Sequence, residues 1–262
     1  MRIVRLDSVG STNDEVVTRA GAGEALPLAV VAAEQTEGRG RNGRAWSSPV
    51  GGVWLSVGVD WPGYAGGAVA LRVALAVRAA VADEAAEMTL GAFDPGRLLI
   101  KWPNDLLLDG KKVAGVLCER RGLDDGRSDG RAVLVVGVGI NACFDAKQLP
   151  SDVRTPATTL QTAVGGGLVV DRLADRVARA IGEAVDRERS ARLTDAEVES
   201  ITEVLAYRGE RIEIGGGDPV SGVVAGIDAD GCVLVRTDAG VQAVVAGDLV
   251  GRKGGGGPPG SG

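Results

Sequence analysis

Short apolar runs alternate with glycine-rich polar stretches along this chain, and the runs fall into strand-like and helix-like periods. Leu28 to Ala33 carries no charge and reads as a buried strand. Val53 to Val59 reads as a second, followed by a turn at Trp61-Pro62-Gly63. Ser11-Thr12-Asn13-Asp14-Glu15 sets small polar caps and first-turn acids ahead of Val16 and Val17, which predicts a helix start. Gly66 to Ala86 is rich in Ala, Val and Leu, and a helix apolar nearly all round is a buried one. Leu98 to Trp102 predicts a short strand stopped by Pro103. Leu106 to Leu108, the turn Asp109-Gly110 and Lys111 to Cys118 predict a hairpin. Ala132 to Ile140 is β-rich, while Asp171 to Arg189 and Thr194 to Tyr207 read as helices. The acidic, glycine-rich stretch Gly122 to Gly130 reads as a surface loop.

The pattern changes near Arg208. Arg211 to Ile214, Val220 to Ile227, Cys232 to Arg236 and Val241 to Ala246 are short strands between Gly- and Asp-rich turns, the spacing of a small β-barrel. The expected organisation is an α+β protein. A mixed-sheet domain with helices spans 1–207, a small barrel domain spans 208–252, and a Gly/Pro/Ser-rich tail, expected to be disordered, spans 253–262.

Composition narrows the chemistry. The 262 residues are 45% hydrophobic, enough for a sizeable core, and the net charge of −6 argues against a general nucleic-acid coat. No apolar run reaches membrane-spanning length, and the N-terminus lacks the apolar core of a signal peptide. Cys118, Cys143 and Cys232 are scattered and odd in number, which suggests neither a disulfide framework nor a thiolate zinc site. A reducing cytoplasm fits best. Histidine is absent altogether. That removes Ser-His and Cys-His dyads, imidazole metal ligands and the usual general base. Reactions of activated acids and phosphates remain, because they depend chiefly on positioning and charge neutralisation.

One segment suits such a reaction. In Glu34-Gln35-Thr36-Glu37-Gly38-Arg39-Gly40-Arg41-Asn42-Gly43-Arg44-Ala45-Trp46, glycine alternates with arginine and a tryptophan closes the run. Glycine lets backbone lie close to a ligand, and arginine offers a planar fork of donors to carboxylate or phosphate. Gly38 to Gly43 also fits the dinucleotide pattern G-x-G-x-x-G, but that pattern must open a helix, and Ala45-Trp46-Ser47-Ser48-Pro49 cannot start one. A P-loop fails because no Lys-Ser or Lys-Thr follows Gly43.

Three further segments carry candidate chemistry. Ser11-Thr12-Asn13 is a hydroxyl-amide cluster at a helix N-terminus, which an ordinary N-cap would also explain. Lys101-Trp102-Pro103-Asn104-Asp105 precedes Gly110-Lys111-Lys112-Val113-Ala114-Gly115, and a lysine in an apolar strand pair is costly unless it meets an anion. Alternation sends one of Lys111 and Lys112 inward, and Lys112 is the expected one. Val136 to Asn141 is a strand ending in small residues and an amide, where backbone can approach a flat ring.

Together these segments resemble the biotin protein ligase family. The matching motifs are Gly-Ser-Thr-Asn at 10–13, the arginine loop at 34–46, Lys-Trp-Pro-Asn-Asp-Leu at 101–106, Lys-Val-Ala-Gly-Val-Leu-Cys-Glu at 112–119 and Gly-Val-Gly-Ile-Asn at 137–141. The resemblance implies a class II synthetase-like, biotin/lipoate-ligase catalytic fold with an SH3-like C-terminal barrel. It implies a two-step reaction, with biotin and MgATP giving biotinoyl-AMP and the adenylate then acylating a lysine of a biotin carboxyl carrier domain. By the same resemblance, Ser11, Thr12, Asn13, Gln35, Gly38 and Gly115 belong to the biotin end. Arg39 and Arg41 cover biotin and its adenylate, and Lys112 meets the biotin carboxylate and acyl phosphate. Trp46, Lys101, Asn104 and Asn141 belong to the nucleotide end. Apart from the resemblance, the attacking amine must arrive unprotonated and Asp105 would orient or relieve it, although a structural hydrogen bond to the adjacent turn would explain Asp105 as well. Mg2+ would come with ATP, and no residue is assigned to it. Members that also repress transcription carry an N-terminal helix-turn-helix, whereas this chain begins almost at its Ser-Thr-Asn helix. No sequence-specific DNA binding and no membrane partner are expected. The family includes dimers, so a homodimer is allowed. The rival expectations are a lipoate protein ligase-type acyl transferase and a non-catalytic biotin-sensing adaptor.

Overall fold

A computed structural model describes residues 1–61, 66–123, 132–150, 155–187, 189–215 and 219–252. The apolar runs seen in the sequence assemble into one large sheet. Its strands are β1 (Arg2–Val9), β2 (Leu28–Gln35), β3 (Val53–Asp60), β4 (Leu98–Lys101), β5 (Asp105–Leu108), β6 (Lys111–Gly122) and β7 (Ala132–Ile140). The order is β1-β2-β3-β7-β6-β5-β4, with β1 parallel to β2 and every other pair antiparallel. The central strands β2, β3 and β7 are nearly continuous Val, Leu, Ile and Ala because one face of the sheet is covered throughout and the other in part.

On one face lies α2 (Gly67–Met88), the all-round apolar helix, packed against α4 (Val170–Arg187) and the main core. Its two buried charges are both paired. Glu84, fully buried, meets Arg172 at 2.6 Å and so ties α2 to α4. Arg72, 3% exposed, donates to Glu197 and to the carbonyls of Ser190 and Arg192. The opposite face carries α1 (Thr12–Gly21), seated on a smaller cluster formed by Val16, Ala20, Val30, Val133 and Val135. The rest of that face is open, and the cleft lies there.

Two short helices follow the sheet: α3 (Leu160–Val164) and α5 (Asp195–Glu203), the latter opened by a Thr194–Glu197 capping box. The second sheet is antiparallel, in the order β11-β10-β9-β8-β12, from β8 (Arg211–Gly215), β9 (Val220–Ile227), β10 (Val233–Thr237), β11 (Gly240–Val244) and β12 (Asp248–Arg252). The expected barrel is thus a five-stranded antiparallel sheet. Among the described residues, no pairing of β11 with β12 closes it. It docks on the first sheet through Trp102, whose indole N–H donates to the Gly231 carbonyl at 2.9 Å.

Some expectations need correction. The strand β1 was hidden because Arg2, Arg5 and Asp7 interrupt its apolar positions, as an edge strand allows. The helix expected over Thr194 to Tyr207 stops at Glu203, because Val204 and Ala206 bond the backbone of Ile100 instead. The strand β12 and the helix α3 were not anticipated. The turn at 62–63, most of the loop expected over 122–130 and the tail from 253 lie outside the described residues. No described helix is long and apolar enough to cross a membrane, and the three cysteines are free thiols.

Candidate functional site

A cleft of about 590 Å³ opens on the α1 face, over the C-terminal end of β7 and the N-terminal half of β6. Every expected site residue lines it except Gly38, which sits at the base of the arginine loop and accepts from the Trp46 N–H at 2.8 Å. Five cationic side chains line it against two acidic ones, in a protein of net charge −6.

At one end the wall is polar and neutral. Thr12 and Asn13 are buried at the start of α1. Gln35, the last residue of β2, accepts from the Thr12 N–H at 2.9 Å and donates to Ser48 Oγ at 2.9 Å. Beneath them Ser56 of β3 is fully buried, 2.7 Å from Thr12 Oγ1 and 2.5 Å from Asn13 Oδ1. Asn13 Nδ2 donates to Glu119 of β6 at 2.7 Å. Ser11 is buried but makes no side-chain cap bond, so an N-cap does not account for its hydroxyl. Neither Ser56 nor Glu119 was singled out, although a lone serine inside VWLSVGV was a visible signal.

The middle of the cleft holds Lys112, and a β-bulge puts it there. Between Leu106 and Leu107 the partner jumps from Ala114 to Lys112, leaving Val113 as the extra residue. Val113 and Ala114 are consecutive, yet both lie in the α2-side core, so alternation breaks and Lys112 shares a face with Gly115. Lys111 is exposed. Lys112 Nζ lies 2.7 Å from Asp105 Oδ1. That oxygen makes no aligned hydrogen bond, so the contact is chiefly Coulombic. The ammonium also sits 4.7 Å above the Trp46 ring. That indole lies flat over Gly115 and Gly139, which face each other across β6 and β7. A Cβ on Gly115 would come within 3.0 Å of the ring, and one on Gly139 within 2.7 Å. The indole Nε1 is buried without a partner.

The arginine loop arches over this floor as a short antiparallel bridge, Arg39 opposite Ala45, turned at Asn42 with φ 57°. It is held on both sides. Arg39 pairs with Asp14 of α1 at 2.7 Å, and Arg44 with Asp248 of β12 at 2.9 Å. The Arg39 hydrogen bond holds the Asp14 carboxyl below its ordinary value. Between them Arg41 reaches inward, 3.5 Å from Asn104 Oδ1 and 4.0 Å from Asp248. Asp14 reads in the sequence only as a first-turn helix acid and Asp248 as one acid among many, so neither shows as a partner of the loop.

The far end holds Lys101 and Asn141. Burial pushes the Lys101 ammonium below its usual pKa, and its nearest described partner is the Thr155 hydroxyl at 2.6 Å. Asn141 donates to the Thr158 carbonyl at 3.1 Å, and Asn104 to the Val116 carbonyl at 2.6 Å, so both amides also brace backbone. Among the described residues no three potential metal ligands come together. A neutral acceptor-rich pocket, a lysine–carboxylate pair and a cationic far end, in that order, suit a small neutral ring, a carboxylate and a polyphosphate.

Comparison with known proteins agrees with this arrangement. Residues 19–141 match the biotin/lipoate A/B protein ligase family, and residues 208–250 match the biotin protein ligase C terminal domain. The chain is 34% identical over 249 residues to a biotin–[acetyl-CoA-carboxylase] ligase of Mycobacterium tuberculosis, covering 92% of this chain and 85% of that protein. It is 30% identical to the bifunctional ligase/repressor BirA of Escherichia coli, covering 93% of this chain and 72% of that one. Among solved structures it resembles a biotin protein ligase from Aquifex aeolicus in complex with biotin and ATP. There the TM-score is 0.72 and the identity 25%, over 95% of this chain and 97% of that one.

Proposed function

Since the chain belongs to the biotin protein ligase family, we propose that it activates biotin with ATP and transfers it to a protein lysine. In the first step a biotin carboxylate oxygen attacks the α-phosphorus of ATP, and pyrophosphate leaves. In the second a lysine amine attacks the acyl carbon of biotinoyl-AMP, giving an amide and releasing AMP. The acceptor is a lysine of a biotin carboxyl carrier domain of acetyl-CoA carboxylase or a related carboxylase.

The observation that carries this reading is the Lys112–Asp105 pair, set between the neutral pocket and the cationic loop. The first step brings two anions together. Lys112 and Arg41 offset that repulsion and stabilise the charge gathering at phosphorus. Once the anhydride has formed, the Arg39–Asp14 and Arg44–Asp248 pairs keep the loop down and water out. In the second step Asp105, already beside one ammonium, orients the incoming amine. Trp46 supplies a flat apolar surface for the nucleotide base, and Lys101 and Asn104 flank the phosphates. Mg2+ enters as the counter-ion of ATP. No described cluster of side chains fits it as a ligand set, so no step here runs through it.

Biotin-dependent exchange of labelled pyrophosphate into ATP tests the reading. Exchange with biotin is expected. Exchange driven only by lipoate, or by no acid at all, would overturn it. The negative net charge favours no DNA role, so an operator fragment should not be retained at physiological salt.

A further inference from the structure

The main chain of Lys112 is held by a segment outside the strands that flank it. The last β6–β7 pair is Ala114 with Ile140, and the Asn141 N–H then reaches the Val113 carbonyl at 2.8 Å. There β7 gives way, and residues 156–158 take its place beside β6. The Lys112 N–H donates to the Pro156 carbonyl at 2.7 Å, and the Lys112 carbonyl accepts from the Thr158 N–H at 2.9 Å. These two bonds make Lys112 and Ala157 an isolated parallel bridge. Both backbone groups of Lys112 are satisfied by that segment.

The segment is itself anchored on two sides. Downstream, the Thr158 carbonyl accepts from Asn141 Nδ2 at 3.1 Å, and the Leu160 N–H donates to the Asn141 carbonyl at 2.8 Å. Upstream, Thr155 Oγ1 accepts from Lys101 Nζ at 2.6 Å. Lys101 stands in register with Asp105, the acid beside Lys112. A desolvated ammonium gains from every acceptor it reaches, so Lys101 is a firm donor to Thr155. Thr155 is half-buried and lies in no helix or strand, so this contact is what ties its side chain to the cleft wall.

We propose that Thr155 is a positioning residue for the adenylation step. Through Lys101 it steadies residues 156–158, and those residues fix the backbone from which the Lys112 side chain reaches into the cleft. A small shift of that backbone carries the ammonium with it, and misplacement of a reacting group lowers a rate steeply. The cost falls on turnover rather than on biotin binding, because the neutral pocket lies at the other end of the cleft.

This inference rests on the biotin ligase reading, and its test separates the two. Biotin-dependent pyrophosphate exchange would be followed at varied biotin and varied ATP. Thr155→Val removes the hydroxyl and keeps the shape. It should lower kcat by about ten-fold and leave the KM for biotin within about two-fold. Thr155→Ser should bring kcat back to within about two-fold of wild type. In a Lys112→Ala background, Thr155→Val should change kcat no further, because the group it positions is gone. Thr155→Ala carries the test if Thr155→Val does not fold. A wild-type kcat without the hydroxyl overturns the inference. So does a rise in the KM for ATP alone, which would make Thr155 a plain nucleotide contact. A loss that persists undiminished in Lys112→Ala overturns it too, since Thr155 would then act without Lys112. A wild-type protein that shows no exchange takes the functional reading down, and this inference with it.

Discussion

Lys112 and Lys101 share the cleft, yet burial and partners treat them differently. Lys112 has Asp105 beside it and an indole beneath it. Removing its charge should leave the fold intact and lower biotin-dependent pyrophosphate exchange by about a hundred-fold or more. Near-normal exchange in Lys112→Ala would remove it from the chemistry. Lys101 is the opposite case: desolvation disfavours its charged form in the folded protein. The sign follows from linkage. Its burial costs stability below its depressed folded pKa, and the cost disappears as pH rises toward the ordinary lysine value of 10.5. Lys101→Met should therefore melt no lower than wild type at pH 7 while raising the KM for ATP by about ten-fold. A lower melting temperature with unchanged KM would mark Lys101 as purely structural. Lys112 was legible as a candidate because only one of two adjacent lysines can point inward. The reason it is Lys112 was not legible. Strict alternation from Gly115 selects Lys111, and only the bulge at Val113 reverses the choice.

At the scale of elements the arginine loop is a strap with two pins. Both ion pairs are partly exposed, with Arg39 at 33% and Arg44 at 55%, so salt weakens them. Asp248→Asn should retain biotin affinity but release adenylate, seen as biotin appearing on bystander proteins. Arg41→Gly should leak more, because Arg41 points into the cleft between the two pins, where the proposed intermediate would lie. If either variant holds the adenylate as tightly as wild type, the strap is not what retains it. The Asp14 pin has a defined pH range. Its carboxyl is depressed by Arg39, so the stabilisation is complete above 3.8 and is lost as pH falls through the lower folded value. Leakage should therefore stay flat from about pH 5.5 to 8 on this account, but rise with salt between about 0.1 and 1 M. The loop and its arginines were plain in the sequence, since alternating glycine and arginine is a local pattern. Their partners were not, because Asp14 and Asp248 lie in distant elements and only tertiary folding brings them together.

Across the whole molecule, α2 is the spine. Arg72, buried within it, collects Glu197 and two carbonyls from the segment leading into α5, which in turn precedes the second sheet. Arg72→Ala takes the guanidinium from both carbonyls and leaves Glu197 with only its Thr194 donors, and it should cost about 3 kcal/mol in a urea melt. A loss under about 1 kcal/mol would mean that the clamp only decorates the junction. The layered plan of the first sheet followed from continuous apolar runs, and the second sheet from short strands between turns. The edge strand β1 escaped because its exposed face dilutes the apolar signal, and β12 because Asp-Leu-Val-Gly-Arg is too short to show a period.

The facing pair Gly115 and Gly139 has a consequence for how this protein can vary. Neither residue has any chemistry to offer, yet a methyl on Gly139 would force the Trp46 indole to move, and one on Gly115 would crowd it. In a saturation library the steepest fitness penalties should thus include two positions with no functional group at all. Ligases of altered appetite would have to be sought by reshaping the ring that lies above them.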